Sequence, residues 1–118
     1  MQKKILVVDD DKLLLNALEQ YLSEAKFEVR ALSEPSEINN AIIELKPDLI
    51  ILDIRLGEED GRLICDDLKK SKSTAHIPVI LLTGLIYDDI AEIDCEADAI
   101  IGKPYEWGSL LSTIKQLI

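Results

Sequence analysis

Asp48-Leu-Ile-Ile-Leu-Asp53 is followed in the chain by Ile-Arg-Leu-Gly-Glu-Glu-Asp-Gly61. Four aliphatic residues end on an acid, and the chain then breaks into a polar, glycine-containing loop. Bounded by Pro47 and by the Gly57 to Gly61 loop, the run reads as a strand buried on both faces. Asp53 then stands at the carboxyl edge of a sheet, where open α/β folds bind their ligands.

The same alternation of apolar run and polar tip recurs on both sides. Upstream, Lys3 to Val8 is a short strand ending on Asp9-Asp10-Asp11, and Leu14, Ala17, Leu18, Tyr21 and Leu22 recur at helical spacing over about Lys12 to Ala25. Phe27 to Leu32 alternates like a strand nearer the sheet edge. Ser33 and Pro35 mark the start of a second helix with Ile38, Ala41, Ile42 and Leu45 as its stripe, and Pro47 stops it. Downstream, Leu63, Ile64 and Leu68 support a third helix that ends in the polar loop Ser71 to His76. Pro78 to Thr83 is again an apolar strand with a polar tip. Ile86, Ile90, Ile93 and Ala97 give a thin stripe on a short, acid-rich fourth helix, Ala99 to Ile101 a last strand before Gly102-Lys103-Pro104, and Trp107, Leu110, Leu111, Ile114 and Ile118 the closing helix. Five strands alternating with five helices predict an α/β fold with a parallel sheet covered on both faces.

At 118 residues the chain is read as one domain, residues 1–118, with 47% hydrophobic and 31% charged residues and no linker or internal repeat. The net charge of −10, from 23 acids and 13 bases, disfavours contact with phosphate backbones and so direct nucleic-acid binding. Cys65 and Cys95 show neither zinc spacing nor histidine partners, which points to a reduced compartment and inert thiols. No signal peptide is visible, and no run approaches the roughly 20 apolar residues of a membrane span. The composition reads as that of a soluble, cytoplasmic protein.

In a parallel sheet every carboxyl end points to one edge. Asp9 and Asp10 follow the first strand, Asp53 the third, Thr83 the fourth and Lys103 the fifth. With the first and third strands as neighbours, three carboxylates converge at the topological switch point. Like charges that close raise one another's pKa unless a cation sits among them, and oxygen-only ligands favour Mg²⁺. A metal and Lys103 would neutralise an incoming anion, with the Thr83 hydroxyl as a donor: a phosphoryl site. Other polar residues have plainer readings. Asp11 suits a helix cap, His76 a solvated loop, and Trp107 helix packing.

These motifs together resemble the response-regulator receiver domain of bacterial two-component signalling. The likeness is carried by Ile-Leu-Val-Val-Asp-Asp-Asp at 5–11, Asp-Leu-Ile-Ile-Leu-Asp at 48–53, Asp60-Gly61, Pro78 to Thr83 and Lys103-Pro104, and it covers essentially the whole chain. The resemblance implies a doubly wound, flavodoxin-like (βα)5 sheet of strand order 2-1-3-4-5. It further implies phosphorylation of Asp53 by a histidine kinase or histidine phosphotransfer protein, and an activity confined to the domain's own phosphorylation and dephosphorylation. Asp10, Asp53 and the backbone carbonyl of Arg55 would hold Mg²⁺, with Asp9 assisting. Thr83 and Lys103 would bind the phosphoryl oxygens, and Lys103-Pro104 would be a cis peptide.

Several positions depart from the family pattern. Gly57 stands where proline is usual, Glu59 where methionine is frequent, Gly84 where alanine is common, and Glu96-Ala97 in place of Gly-Ala. Ile100 occupies the place of a switching aromatic residue, so activation is expected as a reordering of Thr83 to Ile93. Arg55 and Leu85, flanking the path of a hydrolytic water, lack an acid or amide to orient it, and a long-lived phosphoryl group is expected. Asp88, Asp89, Glu92, Asp94, Glu96 and Asp98 would oppose one another across a symmetric contact, so a monomer is expected before phosphorylation. A dehalogenase-type hydrolase would need an acid two residues after its nucleophile, where Arg55 stands, and a flavin carrier a phosphate loop that Asp9 to Asp11 would repel. A receiver-like domain unable to take phosphate is disfavoured because every acceptor-site residue is present. Two readings of the length stay open: a complete single-domain regulator acting on an unknown downstream protein, or a fragment of a longer regulator or hybrid kinase.

Overall fold

The computed structural model describes residues 2–84 and 96–118. Its main sheet holds β1 (Lys4–Val8), β2 (Glu28–Leu32), β3 (Leu49–Asp53), β6 (Val79–Thr83) and β7 (Ala99–Gly102), all parallel, in the order β2-β1-β3-β6-β7. Counting only these strands, the order is 2-1-3-4-5, as expected for the flavodoxin-like α/β fold. A separate two-stranded ribbon, β4 (Arg55–Leu56) and β5 (Glu59–Asp60), follows β3 directly. The described helices are α1 (Lys12–Glu24), α2 (Ile38–Leu45, entered through a 3-10 turn at Pro35–Glu37), α3 (Gly61–Lys70) and α4 (Trp107–Leu117). The short acid-rich helix expected from Ile86 lies, as far as Cys95, outside the described residues, together with Leu85 and most of the segment expected to reorder on activation.

Side chains of successive strand residues point to opposite faces, and both faces are buried here. Leu6, Val8, Ile50, Leu52, Val79 and Leu81 pack with α2 and α3; Ile5, Val7, Leu49, Ile51, Ile80 and Leu82 pack with α1 and α4. Two covered faces explain why β3 and β6 are unbroken apolar runs, buried at every position. β2, on the sheet edge, stays half-exposed. Ile100 pairs with Leu81 and packs into the α2/α3 side of the core.

Two helix faces differ from the expected stripes. α1 buries Leu15, Leu18 and Leu22, while Ala17 is exposed and Leu14 and Tyr21 are only half-buried. α3 buries Gly61, Cys65 and Leu68 and leaves Leu63 65% exposed. In Leu13-Leu-Leu15 periodicity does not choose which leucine turns inward, and on α3 Leu63 stands about 200° round the helix from Cys65 and so off the Gly61, Cys65 and Leu68 stripe. Asp11 is the N-cap of α1, its carboxylate accepting from the Leu13 and Leu14 amides, and Lys46 closes α2 in the left-handed region.

The amino edge of the sheet is fastened by two aspartates used alike. Asp48, just before β3, accepts from the Lys4 amide at 2.8 Å; Asp98, just before β7, accepts from the Val79 amide at 2.8 Å. Asp98 also meets the Lys69 ammonium at 2.8 Å, and that ammonium donates to the Ile77 carbonyl at 2.8 Å, tying the end of α3 to the starts of β6 and β7. Asp98→Ala strands a backbone amide and a mostly buried ammonium together. It is expected to cost about 2 kcal/mol in urea unfolding, whereas Asp66→Ala, on the polar face of α3, should be near neutral.

Candidate functional site

The carboxyl edge of the sheet brings together the strand tips singled out from the sequence. Asp9 is fully buried; its Oδ1 accepts from the Asp11 amide at 2.9 Å and its Oδ2 faces Lys103 Nζ at 3.2 Å. Asp53, 6% exposed, places Oδ2 3.3 Å from the same Nζ. Asp10 is exposed, and its Oδ2 accepts from the Gly57 amide at 3.0 Å. One carboxylate oxygen from each of Asp9, Asp10 and Asp53 lies within 4.8 Å of the others. Thr83 is 1% exposed and paired with Gly102 across β6 and β7. The next amide, that of Lys103, donates to the Thr83 carbonyl at 2.6 Å, so sheet register delivers the lysine to the acids. The Lys103-Pro104 bond is cis. Around these groups opens a cavity of about 370 Å³ lined by Asp10, Asp53, Arg55, Thr83 and Lys103, among others.

Two glycines shape the floor and the wall. Gly61 begins α3 directly behind the end of β3, and its amide donates to the Ile54 carbonyl at 2.7 Å. A methyl group there would collide with the Asp53 carbonyl oxygen and stand 3.0 Å from Ile54 Cα, both backbone atoms with no freedom to yield. The preceding Asp60 caps α3 and grips Arg62, whose hydrogen bonds hold its carboxyl below the usual carboxylate range. Gly57, at φ +62, turns the β4–β5 ribbon back toward Asp10. Asp60-Gly61 and Gly57 read in the sequence only as motif positions; the Gly57 contact joins residues 47 positions apart, and those of Gly61 come from the chain folding back on the end of β3. Tyr105, two residues beyond Lys103, was not singled out at all. Its hydroxyl is buried with no hydrogen-bond partner among the described residues, and burial pushes its phenol pKa up.

The charge balance is tight. Burial and the neighbouring Asp9 carboxylate push the Asp53 pKa from 3.8 up to about 6, against the pull of Lys103. Burial alone would lower the Lys103 pKa; Asp9 and Asp53 outweigh it and hold the ammonium above its usual value. The all-oxygen set of Asp9, Asp10 and Asp53, with a single ammonium as countercharge, suits a hard divalent cation.

A carboxyl group whose pKa is raised by folding binds its proton more tightly in the native state. Stability therefore falls as pH rises through the window between 3.8 and about 6, and the penalty is complete above it. In EDTA near pH 8, Asp53→Asn should accordingly be more stable than the wild type by on the order of 2 kcal/mol. Urea unfolding should show the gap closing toward pH 4; a gap independent of pH would contradict the electrostatic origin.

The family model for the response regulator receiver domain covers residues 5–115. The transcriptional regulatory protein GltR of Pseudomonas aeruginosa is 36% identical over 118 residues, 98% of this chain and 49% of the relative. The receiver domain of a signal transduction histidine kinase from Syntrophus aciditrophicus superposes with a TM-score of 0.88 at 33% identity, covering 98% of this chain and 89% of that one. A CheY-like response regulator receiver domain protein from Methanospirillum hungatei gives 0.86 at 28% identity, covering 98% and 93%. The chain spans about half the length of the curated relatives it matches. With the family model matched over nearly all its residues and the acidic crevice at the carboxyl edge of the sheet, this chain belongs to the response regulator receiver domain family.

Proposed function

We propose that Asp53 accepts a phosphoryl group from the phosphohistidine of a histidine kinase or histidine phosphotransfer protein, and that the modified domain then changes its contacts with a downstream protein. The observation that supports this most is the placement of Asp53: nearly buried at the tip of the central strand, beside Asp9, with Lys103 Nζ 3.3 Å away. An Asp53 carboxylate oxygen attacks phosphorus in line as the phosphorus–nitrogen bond breaks. The bonding pair stays on the departing imidazole, which its own surroundings reprotonate if required. Lys103 holds a phosphoryl oxygen as a point charge, and the Thr83 hydroxyl donates to another.

Asp9, Asp10, Asp53 and the backbone carbonyl of Arg55 would hold Mg²⁺. When bound, that ion offsets the clustered carboxylates and draws charge from the phosphoryl oxygens. The chain acts in this reading as one receiver unit, residues 1–118, in the cytoplasm. It is a monomer before phosphorylation, makes no direct contact with nucleic acid or membrane, and catalyses only its own phosphorylation and dephosphorylation. Among the described residues no helix is long and apolar enough to cross a membrane.

Incubation with Mg²⁺ and acetyl phosphate, followed by intact-mass measurement, is expected to show one phosphate adduct on the wild type and none on Asp53→Asn. An adduct that persists in Asp53→Asn would refute the assignment. Chelating the metal, or replacing Asp10 by Ala, should abolish the adduct in the same assay, because the uncompensated carboxylates repel the donor.

A further inference from the structure

We infer that the backbone amide of Gly57 is a positioning group for the cation site, orienting the Asp10 carboxylate before Mg²⁺ arrives. This rests on the reading of Asp10 as a magnesium ligand. The three acids of the cluster are held very differently. Asp9 is buried and fixed through both oxygens, by the Asp11 amide and by Lys103. Asp53 is buried and faces Lys103. Asp10 is exposed, and its carboxylate has one hydrogen bond among the described residues, the 3.0 Å contact from the Gly57 amide across 47 positions of chain.

That amide is available because of how the ribbon turns. β4 and β5 pair Leu56 with Glu59 and Arg55 with Asp60, leaving Gly57-Glu58 as a two-residue loop. Gly57 has φ +62 while Glu58 is not among the residues of positive φ, the pattern of a type II′ turn with glycine at its first central position. In such a turn the ladder does not use the amide of that glycine. The spare N–H is aimed at Asp10 Oδ2, and an ionised carboxylate has lone pairs left for a cation. Arg55, the source of the proposed carbonyl ligand, lies two residues earlier on the same ribbon. One hydrogen bond thus joins two strand tips that both face the cation. An exposed carboxylate must give up rotamer freedom to bind a metal; here part of that ordering precedes the ion. Groups that orient a metal ligand typically change affinity 10- to 100-fold when removed. A single neutral amide on an exposed acid belongs at the lower end.

The test uses the full chain with glycolic acid in place of Gly57, which exchanges the N–H for an oxygen and leaves the left-handed backbone accessible. Mg²⁺ affinity is read directly by calorimetric titration, without phosphorylation. The ester variant is expected to bind about tenfold more weakly. D-alanine in place of Gly57, which keeps the N–H and favours the positive φ of this turn position, should retain wild-type affinity. Wild-type affinity in the ester variant would overturn the inference while leaving the magnesium site intact. If instead the wild type fails to bind Mg²⁺, or Asp10→Ala binds it equally well, the metal-site reading itself falls, and the inference with it.

Discussion

Asp9 and Asp53 lie close together out of water, and a single ammonium, Lys103, stands between them. At separations of about 4 Å and an effective dielectric near 20, two like charges repel by about 4 kcal/mol. The fold tolerates that repulsion because the lysine reaches both acids from a third strand. Its own position is set by backbone pairing: Thr83 opposite Gly102, and the Lys103 amide on the Thr83 carbonyl. A slip of one residue in β7 would turn Lys103 to the other face of the sheet. Register, rather than local sequence, therefore holds the site together.

The two edges of the sheet use carboxylates for opposite ends. At the amino edge, Asp48 and Asp98 each accept the first amide of a neighbouring strand, and Asp98 is further paired with Lys69. Their charges are spent on hydrogen bonds. At the carboxyl edge burial, and after it the neighbouring Asp9 carboxylate, raise the Asp53 pKa to about 6 against the pull of Lys103. The same residue type is a fastener where its oxygens accept backbone amides, and a group poised to hold a proton where burial and a like charge press on it. Gly61 belongs to the second edge: the absence of its side chain lets α3 start against the backbone of Asp53 and Ile54.

Much of this was legible from residue order, for identifiable reasons. A strand covered on both faces must be apolar throughout, so β3 and β6 announce themselves and their tips follow. That placed Asp9, Asp10, Asp53, Thr83 and Lys103 on one edge, and the structure gathers them there. Helix faces were less legible. Three consecutive leucines at 13–15 leave the inward direction of α1 undecided, and Leu63 reads as core although it lies off the buried stripe of Gly61, Cys65 and Leu68. Least legible were contacts between distant residues: the Gly57 amide on Asp10 and the Lys69–Asp98 clasp. No local pattern encodes a pairing whose partners lie tens of residues apart.

The aromatic residues near Lys103 carry one more consequence. Trp107, the only tryptophan, sits with its ring centre 4.9 Å from that of Tyr21 on α1 and 6.3 Å from that of Tyr105. Its indole is thus lodged where the loop after β7 meets the first helix, on the face opposite α2 and α3. The protein carries a native fluorophore whose surroundings depend on how that loop sits against α1, and which is screened by the sheet from rearrangements on the other side. Light emitted by this one ring reports on one half of the molecule alone.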